Sequence, residues 1–251
     1  MAEVRHLNNA PITEAIIDFR VKLPSEFKVE AFLELKKTIG DRFPKFEERK
    51  LFSSQFGFKK GKPLPPSAEY HGVHGYFFRP EDEKNVAQFR IDGFTFSRLK
   101  PYTNWEKMFE EARDLWGRYS GIAEPEAVTR LAVRYINHIN IPLPVDDLSN
   151  YFTAAPEIPD NIQGAISGFL SKIVVYDQEM DVATNIVQAL EKSTKPDKHI
   201  TVVLDIDSFK VKVGDFNMGN DEIWETFANL HNIKNQIFFN SITEKTARLF
   251  E

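Results

Sequence analysis

Residues 94–142 read FTFSRLKPYTNWEKMFEEARDLWGRYSGIAEPEAVTRLAVRYINHINIP, and a change of period inside this stretch decides the fold. Trp105, Met108, Phe109, Ala112, Leu115, Trp116 and Tyr119 recur at three- and four-residue spacing, while Glu106, Lys107, Glu110, Glu111 and Arg113 fall elsewhere. That spacing predicts a helix with one apolar face. Thr103 and Glu106 form a capping-box pattern at its start, and Gly121 and Pro125 are its stop signals. From Arg130 to Ile141 the period becomes two. Leu131, Val133, Tyr135, Ile139 and Ile141 share one parity, and Arg130, Arg134, His138 and Asn140 take the other. The pattern is that of a half-buried strand. Asn137 alone interrupts the apolar parity, so it needs a hydrogen-bond partner or a place at a sheet edge.

Working outward, Pro11 to Leu23 alternates as a strand that Pro24 ends, and Val29 to Ile39 has helical spacing with Gly40 as a left-handed cap. Phe46 to Phe58, His71 to Arg79, Val86 to Ile91 and Phe94 to Lys100 read as successive strands, the middle pair joined through the PEDEK turn as a hairpin. KKGKPLPPSAEYHG, residues 59–72, reads as an exposed loop. Beyond Pro142 come a short helical piece near Val145 to Phe152 and strand patterns at Ile166 to Tyr176, Ile200 to Asp207 and Phe209 to Val213. A helix at Asp221 to Phe238 and a tail strand at Thr246 to Glu251 complete the chain. Val182 to Leu190 fits either a strand or a helix.

The two halves keep step. Pro24 and Pro142 are 118 residues apart, Trp105 and Trp224 are 119, and Arg130 and Arg248 are 118. An even offset preserves strand faces, and Ala15, Ile17, Val21 and Leu23 fall on Val133, Tyr135, Ile139 and Ile141. The expectation is an α+β fold: a largely antiparallel sheet with helices on one face, built from a duplicated β-α-β-β-β-β-α unit over 12–125 and 129–247. The last strand would be the stub of a third copy. Residues 130–141 can belong to both halves, which makes 1–251 one cooperative domain. By analogy alone, such pairs of units resemble TATA-binding-like and helix-grip saddles.

Composition removes several chemistries. The net charge of −5 disfavours indiscriminate binding to nucleic acid, although a local basic face is compatible with it. The absence of cysteine excludes disulfides, thiolate nucleophiles and Cys-ligated metals. The N-terminal MAEVRHLNNAP lacks a signal-peptide core and no run approaches a membrane span, so the expected setting is cytoplasmic, without a membrane.

NAPITEAIIDFRV, FTFSRLKPYTNWE, RLAVRYINHINIP and VLDID, in that order, make the chain resemble a sporadically distributed family of bacterial proteins close to this chain's length of 251 residues. The resemblance spans nearly the whole chain. It implies a prokaryotic protein that travels with accessory systems, and it implies no catalytic residue.

Four constellations bear on chemistry. Asp205 and Asp207 lie two apart on a strand and share a face, as ligands of one divalent cation would, but no phosphate-binding turn precedes them. Glu69, His71 and His74 supply three zinc-type ligands beside a glycine-rich loop. His138, His199 and His231 have no nucleophile partner in view. Arg98, Tyr102, Arg130, Arg134 and Asn137 sit on or beside the organising strands, where guanidinium groups suit carboxylate or phosphate recognition or else pair with neighbouring acids. No catalytic residue, metal or cofactor is assigned. The expected function is a non-catalytic binding or accessory protein with a macromolecular partner, most simply a protein, within a toxin-antitoxin or phage-defence type of module. A nucleotide or nucleic acid on the concave sheet and a metal-dependent enzyme at Asp205 and Asp207 are the alternatives.

Overall fold

β1, Ile12–Lys22, points Ala15, Ile17 and Phe19 into the core and Asp18 and Arg20 to the other face, as its alternation requires. In the computed structural model, which describes residues 1–55, 58–59, 62–63, 67–159, 161–162, 164–191, 198–212 and 221–251, β1 is the middle strand of a nine-stranded antiparallel sheet. In chain order, apart from a two-residue ladder of Phe58–Lys59 with Lys62–Pro63 and the 3-10 turns, the other elements are α1 (Leu35–Ile39), β2 (Lys45–Gln55), β3 (Ser67–Arg79), β4 (Asn85–Arg90), β5 (Gly93–Leu99), α2 (Trp105–Ala123) and β6 (Ala127–Pro142). They continue with β7 (Leu170–Asp177), β8 (Val182–Leu190), β9 (His199–Val211), α3 (Glu222–Ser241) and α4 (Glu244–Ala247). The sheet order is β2-β3-β4-β5-β1-β6-β9-β8-β7. β1 and β6 pair at its centre with Ile17 opposite Val133. The fold is α+β, with a large antiparallel sheet and helices on one face.

Two apolar clusters fill the helix-bearing face. The first gathers Phe19, Phe32, Phe78, Phe89, Phe94, Trp116 and Tyr119 under α2 and the 3-10 turn Val29–Glu34, and Phe19 stacks on Trp116 at 4.0 Å. The second lies under β6 and β9 and takes in Ala2 and Leu7 from the N-terminus with Phe238, Phe239 and Phe250 from the C-terminus. α3 bridges them, since Ile223, Phe227 and Leu230 belong to the first cluster and Phe238 to the second.

The hairpin through residues 80–84 forms as the sequence predicts, pairing Phe78 with Ala87. Several boundaries differ. Asn104, not Thr103, caps α2, its Oδ1 accepting from Lys107 N at 3.0 Å. The helix passes through Gly121 and stops where Glu124 takes the left-handed position at φ 40°. Trp105 and Phe109 flank the buried stripe of Met108, Ala112, Leu115, Trp116 and Tyr119 and are only half-buried. Only the last part of 29–39 is α-helical, and Gly40 is right-handed at φ −56°. Residues 67–70 belong to β3, which takes them out of the expected loop, and residues 60–61 and 64–66 of that loop lie outside the described residues. Val182–Leu190 is a strand. β9 runs unbroken through Ser208, whose hydroxyl bonds Thr184 Oγ1 across the ladder at 2.9 Å, and Val213 lies outside the described residues.

The expected tail strand is helical. Thr243 caps a short helix by accepting from Thr246 N at 3.4 Å, and Thr246 Oγ1 donates to Tyr151 O at 2.6 Å. Local side-chain capping outweighs the alternation read from Thr246 to Glu251, and with it goes the stub of a third copy. Among the described residues no helix is long and apolar enough to cross a membrane.

Candidate functional site

The five singled-out residues fall in two places, four of them by strand parity and Tyr102 by its position between β5 and α2. Arg130 and Arg134 leave β6 on the helix-free face. Arg98, Tyr102 and Asn137 stay at the helix-bearing side.

On the helix-free face, register assembles what the linear sequence conceals. Arg49, Gly75, Arg90, Gly93, Arg20 and Arg130 are consecutive cross-strand partners, so four arginines and two glycines form one row across β2, β3, β4, β5, β1 and β6. A Cβ at Gly93, where φ is 153°, would fall 1.9 Å from Phe19 O, and one at Gly75 would fall 2.3 Å from Phe89 O. Glycine at these two positions permits the close approach of the neighbouring strands' backbone.

Aspartates neutralise most of the row. Asp18 accepts from Thr95 Oγ1 at 2.6 Å and from Arg90, Arg20 and Arg130, each at 3.2 Å. Asp92 accepts from Arg90 at 2.8 Å, also bonds Arg20, and lies 3.2 Å from His74 Nε2. Burial alone would raise the Asp92 carboxyl, but Arg90, Arg20 and His74 outweigh it and hold it below the usual range. Arg130 reaches Asp207 at 3.1 Å, and Arg134 grips Asp205 with two bonds of 2.9 and 2.6 Å that raise its own pKa. Arg49 differs: its Nη1 is buried without a partner, and burial beside Arg90 lowers its pKa.

The metal candidates do not converge. His71 Nε2 meets Ser53 Oγ at 2.6 Å while His74 turns to Asp92. Among the described residues no three His, Asp or Glu side chains cluster as ligands.

On the helix-bearing side, a cavity of about 350 Å³ opens between residues 4–12, the start of α2 and the middle of α3. Tyr102 and Asn137 line it with Trp105, Glu106, His231 and Lys234. Asn137 is buried and donates to Leu204 O at 2.9 Å, the partner its position demanded; β6 is interior to the sheet, so no edge is involved. Tyr102 and Tyr135 share a hydroxyl bond of 2.8 Å, and burial pushes Tyr102 up to about 12 and Tyr135 well above the ordinary phenol. His231 stacks on Trp105 at 4.2 Å, and burial, helped by Lys234, lowers it to about 3. Arg98, outside this cavity, donates to Asn85 Oδ1 and Pro101 O at 3.1 Å each.

Sequence reading passed over Lys234, because a lysine in an amphipathic helix ordinarily faces water. It also passed over Arg20, Arg49 and Arg90, whose meeting depends on register between strands distant in the chain.

A third feature is β7, the free edge beyond β8. All eight of its residues, LSKIVVYD, are exposed, Leu170 by 75% and Val174 by 60%. Exposed apolar residues along an unpaired strand edge are a template for pairing with another chain. Compared with protein-family models and with curated proteins, the sequence matches none.

Proposed function

We propose that the protein works by binding, and that β7 accepts an extended segment of a partner protein as a tenth strand. The observation that carries this reading is the exposure of Leu170, Ile173, Val174, Val175 and Tyr176, between 46% and 75%, on an edge that is unpaired among the described residues. Main-chain bonds along the edge would supply affinity, and the alternating side chains would supply selectivity on both faces. The opposite edge is a poorer template, since β2 begins KFEERK. The net charge of −5 favours a basic partner through steering that weakens with salt, as an antidote or accessory subunit of a nucleic-acid-directed effector would need. Capture from the native host's extract at low and moderate salt tests it. One protein should be recovered in stoichiometric amount with the wild type and lost with Ile173→Lys/Val175→Lys. Equal capture by both, or self-association alone, would remove the proposal.

The arginine row favours a second reading, an anion such as a nucleotide phosphate on the helix-free face, because Arg49 Nη1 has no partner. Phosphate-bearing ligands that bind the wild type but not Arg49→Met would support it. A metal-dependent enzyme at Asp205 and Asp207 would require both carboxylates to leave their arginines. Magnesium or manganese titration should therefore give no stoichiometric heat.

We also infer that the halves are copies of one unit and fold cooperatively. Supporting this, β1 and β6 each pair with the strand that precedes the following helix, and each meander then runs outward, as β5-β4-β3 and β9-β8-β7. Among the described residues the strand β2 has no counterpart in the second half. Coincident urea transitions by tryptophan fluorescence and far-ultraviolet dichroism are expected. Two separate transitions would contradict it.

A further inference from the structure

Lys234 is accounted for by neither the core nor the proposed strand site. It is 5% exposed on the cavity wall, where its Nζ donates to Asn235 Oδ1 at 2.5 Å and lies 3.5 Å from the centroid of the Tyr135 ring. An amide oxygen and an aromatic face are partial compensation for an ammonium, and among the described residues no ion pair includes it. A buried cation without an anion is costly to keep. Here it borders a cavity, so the counter-charge can come from a ligand.

We propose that this cavity binds a small planar monocarboxylate whose anion pairs with Lys234. Volume, walls and charge agree on that class. About 350 Å³ is near the lower end of the ~300–1,000 Å³ usual for small-molecule sites. Tyr102, Phe238, Phe239 and the Trp105–His231 stack, whose rings are 6° from parallel, supply flat apolar surface. One negative charge is the limit, because among the described residues Lys234 is the single cation on the inner wall that no carboxylate already holds. Arg5 is held by Glu244 and Glu251 at 2.9 and 2.8 Å, His6 is exposed, His231 is neutral above about pH 3, and the Glu106 carboxylate on the wall would repel a second negative charge. Other polar groups around the cavity include Asn235, Asn137 and the paired Tyr102 and Tyr135 hydroxyls, and burial keeps both phenols protonated across the physiological range.

Burial lowers the Lys234 ammonium to about 7, so binding an anion draws a proton onto it at neutral pH. Calorimetric titration of the full chain with benzoate, and with benzamide as its neutral counterpart, tests the assignment. Benzoate should bind saturably at pH 6, at least about tenfold more tightly than benzamide, and its affinity should fall by at least about tenfold in total as pH rises above 7 and the free ammonium loses its proton. Lys234→Met, whose thermal unfolding reports that it is folded, should lose the preference for benzoate. Saturable benzoate binding that is independent of pH, equal for benzamide, or intact in Lys234→Met would overturn the proposal. So would the absence of benzoate binding to the wild type at pH 6.

Discussion

The two ends of the sheet are finished in different ways. At the N-terminal end, the segment following β1 folds back as the turn Val29–Glu34 and α1, placing Phe32, Leu35 and Ile39 in one cluster with Tyr76 and Phe78 of β3. At the other end, the segment following β6 contributes, among the described residues, only the 3-10 turn Leu148–Asn150 before β7. Its apolar side chains serve the second cluster, and Ile173 and Val175 are left bare. The contrast arises in sequence: VEAFLELKKTI supplies a helical apolar stripe at Val29–Ile39, whereas the passage around Pro156 and Pro159 cannot form one. One half closes its sheet with its own chain, and the other leaves its edge strand exposed.

The largest expected effect comes from undoing the closure. Phe32 is fully buried against Phe27, Phe89 and Tyr119. Phe32→Ala should cost about 3–5 kcal/mol in urea unfolding, as a large deletion from a packed core does. A loss below about 1 kcal/mol would mean that the covered half does not depend on its cover.

Next is α3, the helix common to both clusters. Lys234→Met replaces a buried ammonium by an apolar chain of similar volume and should stabilise by about 1–4 kcal/mol at pH 6. The sign follows from protons. Between the folded value of about 7 and the unfolded 10.5, the unfolded chain binds the extra proton, so wild-type stability rises with pH across that window. The advantage of the variant is therefore fullest below pH 7 and gone by pH 10.5. Thermal unfolding at pH 6, 8 and 10 checks it, and a gain that stays constant with pH would place its origin elsewhere.

A smaller effect is expected on the helix-free face, which both halves share. The Arg134–Asp205 pair is bidentate, but the arginine is 43% exposed. Arg134→Met should cost under about 1 kcal/mol, and less at high salt. A loss of several kcal/mol would show that the face is far drier than its exposure implies.

These elements also show what the linear sequence could yield. The α2 stripe, the alternation of β6 and the hairpin through 80–84 were legible because each depends on residues a few positions apart. Glu124 at the end of α2 was not, because a left-handed glutamate is held by its surroundings and has no local signature. The tail reads as a strand because Thr243, the cap that makes it helical, stands before the alternating stretch from Thr246 to Glu251. Of the candidate residues, Tyr102 and Asn137 reach the cavity, but Lys234 became visible only when α3 was laid over Tyr135. The arginine row needed six strands in register, and no motif encodes that.

Hydrogen exchange along β7, measured with the protein free and bound to the partner captured by it, is the most direct test of the open end. Binding by strand addition predicts slowed exchange concentrated in residues 170–177, with β2 unchanged and with the effect absent in Ile173→Lys/Val175→Lys, whose stability should stay within about 0.5 kcal/mol of wild type. Protection along β2, or a bound partner that leaves the β7 amides exchanging as in the free protein, would contradict it.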